Sequence, residues 1–376
     1  MGEIVYEVEG FRTKEPAATL EWLRERSIPD RLGLKRAASG EVGGVPVRVY
    51  LRPASAGRQV HAGKGTTEEQ SAVSGIMESV ERASAEPDHH DALRDPGPGN
   101  VWVPPWYRTE PRGWMPAEDL TEGGTVHIPA NEVLHPWPED ELPSHTNGLA
   151  AGRTREEAIV QGLLEVLERD AWSVFEYHRE PAPELRLHGR LERLRLAIGE
   201  DVGGEIHLRL LPSRVPGVYA VGAVAEAPSV REMVLGFGCS PNPEMAALRA
   251  LLEVAQGVFM AREGFEGARR VGPMGGKLTP KRLKRINRHW FRSGGEVELD
   301  DLENELATRS LDKLLKELVD RVRESGLGRV IAADLTRDDL GVPVVRVRVT
   351  GAAELAVDER RVGNIPEEPP RVDAVG

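Results

Sequence analysis

In Gln161-Gly162-Leu163-Leu164-Glu165-Val166-Leu167-Glu168-Arg169, two carboxylates and a guanidinium interrupt an otherwise apolar run. The pattern is written twice more, as Ser74-Gly75-Ile76-Met77-Glu78-Ser79-Val80-Glu81-Arg82 before it and Arg249-Ala250-Leu251-Leu252-Glu253-Val254-Ala255-Gln256 after it. In each copy a polar residue, a Glu and a second Glu or Gln stand at i, i+4 and i+7, which share one face of an α-helix. Apolar residues surround the stripe in the second and third copies, and a helix apolar around most of its circumference is buried. The stripes therefore face an internal cleft. Five carboxylates, Glu78, Glu81, Glu165, Glu168 and Glu253, would share that space, where an uncompensated charge costs on the order of several kcal/mol. Hard divalent cations with oxygen ligands compensate such a set, and Mg²⁺ characteristically combines a few carboxylates with phosphate oxygens. Arg82, Arg169 and Arg249 add planar forks suited to phosphate. A single Glu pair on a helix reads as a solvated face; the threefold repetition favours a site.

Outward from the stripes, Thr66 with Glu69 marks the start of a helix over 66–86, closed by Pro87, and Thr154 with Glu157 opens one over 154–177. Asn242 and Pro243 open a third that reaches Arg262. Glu157 also stands two turns before Glu165, on the same stripe. Alternation at Val45, Val47, Val49 and Leu51 predicts a strand, and 218–224 with 233–237 a hairpin. Further strands are expected at 330–335 and 342–349, and helices at 17–27 and 298–327. The Pro- and Trp-rich stretch 95–145 reads as packed loops with one short strand at 125–128. The fold class is α+β: mixed and antiparallel sheets packed with long helices whose carboxylate stripes converge on one cleft. An N-terminal segment, 1–60, packs on a catalytic domain, 61–376.

The 376 residues carry 49 Lys+Arg against 61 Asp+Glu, a net charge of −12. That balance argues against nucleic-acid binding. No run approaches 18 apolar residues, so no membrane span is expected. The single cysteine, Cys239, excludes a disulfide framework and a zinc ribbon and points to a reducing, cytoplasmic setting. It reads as a small buried apolar residue, and Asp88-His89-His90-Asp91 as a solvated loop. A di-iron bundle needs Glu-x-x-His, but here the fourth position is Glu or Gln. A P-loop fails because Arg58 stands where Gly is required and Gly65 separates Lys64 from Thr66. Lys64 still lies between a strand and a capped helix, where a cation and backbone N–H groups can meet an anion.

At these residues the chain resembles the YcaO family, ATP-dependent enzymes that modify peptide backbone amides. The matching pieces are Gly63-Lys64-Gly65 leading into Ser74, Glu78, Glu81 and Arg82; Asn147-Gly148-Leu149-Ala150-Ala151-Gly152 leading into Glu157, Glu165, Glu168 and Arg169; Pro243-Glu244 leading into Arg249, Glu253 and Gln256; and Asp334-Leu335-Thr336 with Gly341-Val342-Pro343-Val344. The resemblance implies a YcaO-like nucleotide cleft with ATP and Mg²⁺ as cofactors. ATP contacts would come from Arg12, Thr19, Lys64, Ser74, Glu78, Arg82, Glu157, Arg169, Arg249 and Gln256, and Mg²⁺ ligands from Glu78, Glu81, Glu165, Glu168 and Glu253. Arg153 departs from the Asn of many members, and Val349-Thr350-Gly351 from their Val-Pro-Gly. Pro366, Pro369 and Pro370 do not form the terminal PxPxP common among azoline-forming members, and no fused recognition domain is expected. These features resemble the thioamide-forming branch, which implies conversion of a glycine in the methyl-coenzyme M reductase alpha subunit to thioglycine, with external sulfide and a TfuA-like helper. An azoline-forming cyclodehydratase acting on Cys, Ser or Thr peptides is the alternative. A homodimer and the identity of any catalytic base stay open.

Overall fold

The computed structural model describes residues 2–54, 57–137, 142–228, 230, 232–265 and 280–370. The chain opens with a small hairpin, β1 (Tyr6–Glu7) and β2 (Phe11–Arg12), then α1 (Pro16–Glu25) and α2 (Ile28–Arg31). The strands β3 (Lys35–Val42), β4 (Val45–Ala54) and β5 (Gly57–Lys64) lead into α3 (Glu68–Ser84). After β6 (Trp114–Asp119) and β7 (Thr125–Pro129), β8 (Leu149–Ala151) leads into α4 (Arg155–His178). Then come β9 (Glu184–Arg186), α5 (Gly189–Val202), β10 (Ile206–Leu211), β11 (Tyr219–Ala227) and β12 (Glu232–Ser240), which leads into α6 (Pro243–Arg262). The last elements are α7 (Pro280–Ile286), α8 (Arg288–Phe291), β13 (Glu296–Glu298), α9 (Leu311–Glu324), β14 (Val330–Asp334) and β15 (Val344–Val349).

Besides the small hairpin, the described residues form three sheets, ordered β3-β4-β5, β7-β6-β14-β15-β8 and β12-β11-β10-β9-β13. Among these pairings only β13 with β9 is parallel. The three long helices each follow a strand through a short turn and a side-chain cap. Thr67 accepts from the Gln70 N–H at 3.1 Å, Thr154 from Glu157 at 3.2 Å and Asn242 from Met245 at 3.3 Å. Thr67 stands to Glu78 as Thr154 to Glu165 and Asn242 to Glu253, so the repetition extends from the stripe to the cap. Two glycines let strand and helix meet: a Cβ on Gly63 would lie 2.0 Å from the Ser71 carbonyl, and one on Gly238 2.1 Å from that of Ala246. Each long helix has its own apolar core. Val80 of α3, Leu163 of α4 and Leu251 of α6 are fully buried, each in a separate cluster.

The structure corrects three expectations. The cap of α3 is Thr67, since Thr66 donates both its N–H and its hydroxyl to Glu9 instead. The helix expected over 298–327 is confined to α9, capped by Ser310 at 3.3 Å from the Lys313 N–H, because 299–301 form a single 3-10 turn. The stretch 95–145 contains a second strand, β6, which the proline at 116 disguised and which pairs with both β7 and β14. The strand β5 joins the expected N-terminal segment, 1–60, to the start of 61–376.

Candidate functional site

The three stripes line one cleft of about 450 Å³. Ser74, Glu78, Glu81 and Arg82 reach it from α3; Glu157, Glu165, Glu168 and Arg169 from α4; Arg249, Glu253 and Gln256 from α6. Lys64 comes from the end of β5, and Arg12 and Thr19 from the N-terminal segment. All fourteen residues singled out in the sequence thus border the same space, although strands and long connections separate the three helices in the chain.

Backbone N–H groups pin the carboxylates. The Ala62 N–H donates to Glu78 Oε2 at 2.9 Å, and the Phe237 N–H donates to Glu253 Oε2 at 2.6 Å, from equivalent positions of two repeats. Glu81 Oε1 accepts from the Ala151 N–H at 2.8 Å. Burial, with Glu78 and Glu165 close by, still pushes the Glu81 carboxyl up to about 8. Glu168 is also raised by burial, against the opposing pull of Arg169, whose Nη2 lies 3.0 Å from its Oε1. Glu81 and Glu168, buried and held above the ordinary carboxylate range, leave a demand for positive charge that a divalent ion would meet.

The arginines show the complementary deficit. Arg169 lies over the Phe237 and Trp172 rings at 5.4 and 5.5 Å, and its Nη1 is buried without a hydrogen-bond partner among the described residues. Arg249 donates to the Glu9 carbonyl at 3.0 Å and to Gln161 at 3.3 Å, while its Nε is buried and has no partner among the described residues. Two orphaned guanidinium donors beside the carboxylate stripes fit an anionic ligand bridged to the carboxylates by a metal ion.

Two side chains are already occupied by protein groups. Glu157 accepts at Oε1 from the Thr13 N–H at 2.7 Å and hydroxyl at 2.5 Å, and at Oε2 from the Arg153 N–H at 2.9 Å, with Arg12 at 3.8 Å. It ties the N-terminal hairpin to the turn before α4. Gln256 donates to the Ala62 carbonyl at 2.7 Å and so joins α6 to β5. Arg153 stacks on Trp22 at 4.7 Å and donates to the Ala18 carbonyl at 3.1 Å.

Polar residues that line the cleft without having been singled out as ligands include Tyr6, Glu9, Lys14 and Gln161. Glu9 Oε1 accepts from the Thr66 N–H and hydroxyl at 2.6 and 2.7 Å and from Tyr6 at 3.4 Å. Gln161 had a signal, since it occupies the stripe position of Ser74 and Arg249. Tyr6, Glu9 and Lys14 had none, because a short hairpin far upstream carries no periodicity. Cys239 is buried, and burial pushes its thiol well up, so it offers no thiolate. His89 and Arg337 contact each other after the end of α3, and the Asp88–Asp91 run does not line the cleft.

A second group, Glu132, His145 and Glu354, lies within 4.8 Å. Arg348 and Arg361 ion-pair with both carboxylates, and burial holds the His145 imidazole down at about 4. The demand for positive charge is met there, and the group acts as a buried brace. Among the described residues no helix is long and apolar enough to cross a membrane.

A family model described as YcaO cyclodehydratase, ATP- and Mg²⁺-binding, matches residues 62–353. The chain is 58% identical to the YcaO from Methanopyrus kandleri solved with AMPPCP and Mg²⁺, over 99% of this chain and 100% of that one, with a TM-score of 0.94. It is 38% identical over 369 residues to an uncharacterized protein of Methanothermobacter thermautotrophicus, covering 85% of this chain and 89% of the relative. A protein of Rhizobium leguminosarum, described as lying in the tfuA 3' region, is 26% identical over 378 residues, 89% of this chain and 86% of that one.

Proposed function

Because this chain belongs to the YcaO family, we propose that it uses ATP and Mg²⁺ to activate a peptide backbone amide, and that it exchanges the amide oxygen of a glycine for sulfur. The observation that carries the reading is the single cleft, where three carboxylate stripes meet two arginines with unpartnered buried donors. The Mg²⁺ would be held by Glu78, Glu81, Glu165, Glu168 and Glu253. The phosphates would meet Lys64, Arg82, Arg169 and Arg249, with Ser74, Arg12 and Thr19 on the remaining wall and Glu157 and Gln256 bracing it.

An amide carbon resists sulfide because its oxygen is a poor leaving group. Bound ATP supplies the phosphoryl group that makes that oxygen leave as phosphate. Overall, amide, sulfide and ATP become thioamide, ADP and phosphate, with the amide oxygen ending in the phosphate. The protein's own residues position and neutralise: pinned carboxylates fix the metal, and the arginines offset charge that develops on phosphoryl oxygens. No covalent nucleophile is required, in keeping with the buried Cys239 thiol.

The methyl-coenzyme M reductase alpha subunit as substrate, with external sulfide, rests on the resemblance to the thioamide-forming branch. A TfuA-like helper is supported by the relative in the tfuA region. The family model's description favours azoline formation as the second reading. Both place the protein in the cytoplasm, where ATP is available. Incubation with ATP, Mg²⁺, sulfide and a glycine-containing reductase peptide should add roughly 16 Da and release ADP by γ-phosphoryl transfer. Loss of water from a Cys or Ser peptide without sulfide would establish the second reading instead.

A further inference from the structure

We propose that the outer edge of β5 is the docking strand for the peptide substrate, which pairs with it as an added β-strand; this rests on the peptide-modifying reading above. β5 is an end strand of the β3-β4-β5 sheet, so one of its edges has no neighbouring strand. Ala62 fixes the direction of that edge: its N–H donates to Glu78 at 2.9 Å and its carbonyl accepts from Gln256 at 2.7 Å. Both groups therefore point away from β4, and in a strand the backbone groups of every second residue share a side. Val60 and Arg58 thus turn their N–H and C=O outward as well. The register agrees, because Arg58 stands opposite Pro53, which has no N–H to offer. Val60 is 36% exposed, Arg58 is exposed, and neither has an outward backbone partner among the described residues. A row of free donors and acceptors spaced two residues apart is matched by another extended backbone, which is how peptides add to sheet edges.

The edge leads into the cleft, since Val60, Ala62 and Lys64 all line it. α3 turns back along β5: a Cβ on Gly63 would meet Ser71 and Gly75, whereas Ala62 meets Glu78. Arg82 lies one turn past Glu78, about 6 Å along the helix, and so flanks the edge near Val60, which lies roughly 6.6 Å before Ala62. Met260 stands in the same relation to Gln256 on α6 and also lines the cleft. Pairing stops at Ala62, whose N–H and C=O are already taken by Glu78 and Gln256. A strand laid on Val60 therefore reaches the carboxylate stripes where the edge closes, and its next peptide unit is left beside Glu78. Lys64 lies beyond that closure, so peptide and phosphates approach from opposite ends of β5. The equivalent edge of β12, where Glu253 holds the Phe237 N–H, is closed to a peptide because Leu235 is only 3% exposed.

The probe is the blocked peptide Lys-Val-Thr-Val-Gly-Val-Thr-Lys, whose β-branched residues favour an extended backbone. With the full chain, AMPPCP and Mg²⁺, it should slow exchange of the Val60 amide proton at least about tenfold, the signal being assigned with isotope-labelled valine through Val60→Ile. Single N-methyl groups along the peptide should weaken binding at least about tenfold at alternate residues and little at those between, the period of a strand ladder. Val60→Pro removes the outward N–H at an edge position that tolerates proline. It should weaken the peptide at least about tenfold, while Val60→Ala, which keeps that N–H, should bind within about twofold of wild type. AMPPCP affinity should be unchanged in both and reports on folding. The proposal is overturned if the Val60 amide is not protected, if N-methylation shows no alternation, or if the two Val60 variants weaken binding equally. It is also overturned if protection follows protein concentration rather than peptide, which would pair the edge with a second copy of this chain. Thioamide formation on a reductase peptide that leaves Val60 unprotected removes the docking strand alone. Protection by that peptide without any modification removes the peptide-modifying reading and leaves the strand as a peptide-binding edge.

Discussion

Glu253 accepts the Phe237 N–H through one carboxylate oxygen, and a glutamine there retains that acceptor and the helix propensity while losing the charge. Glu253→Gln should therefore keep its fold while ATP turnover falls by at least about 100-fold. Glu78→Gln and Glu165→Gln should behave alike. Wild-type turnover in any one variant would remove its helix from the site. His61 makes a different prediction. It is 1% exposed, and neither ring nitrogen has a hydrogen-bond partner among the described residues. Burial first, then Arg52 and Arg82, pushes its imidazole down to about 3. Between the ordinary value near 6.5 and that point, the unfolded chain binds a proton that the native protein refuses, so its contribution to stability is lost as pH falls through this window. Thermal midpoints of wild type and His61→Leu should diverge below about pH 6.5, with the variant the less acid-sensitive. Parallel curves would remove His61 as the cause.

At the scale of elements, the pair Thr66 and Thr67 separates a helix cap from a site support. Thr67→Val should cost about 1 kcal/mol of stability, read by urea unfolding, with ATP affinity unchanged. Thr66→Val removes a donor to Glu9, whose carbonyl holds Arg249, so it should lower ATP affinity in calorimetric titration. Reversed outcomes would restore Thr66 as the cap. The long helices were legible because amphipathic period and capping spacing are local properties of the chain. Aligning the three caps as well as the three stripes would have placed the α3 cap correctly, because Thr154 and Asn242 both point to Thr67. The strand β6 was not legible, since its Pro116 is tolerated through pairings that depend on residues far along the chain.

For the whole molecule, clustered carboxylates and arginines couple nucleotide, metal and fold. ATP should bind measurably only with Mg²⁺, and at about 100 times its Kd the pair should add about 2.7 kcal/mol to unfolding stability. Equal ATP affinity in excess EDTA would contradict the clustered-carboxylate site. The sequence by itself determined the α+β class and the three helices with their stripe residues, because one stripe repeated three times is readable without knowing where the helices lie; Arg12 and Thr19 came only from the family resemblance. Only the tertiary structure decided that the stripes meet in one cleft and that Glu157 and Gln256 brace its walls. It likewise decided that Tyr6, Glu9 and Lys14 close the cleft and that Arg348 and Arg361 neutralise Glu132 and Glu354 in a buried brace. Those facts join residues separated by as many as 240 positions, as Glu9 is from Arg249. No local pattern encodes them, since each partner's role exists only once the sheets have brought the two together.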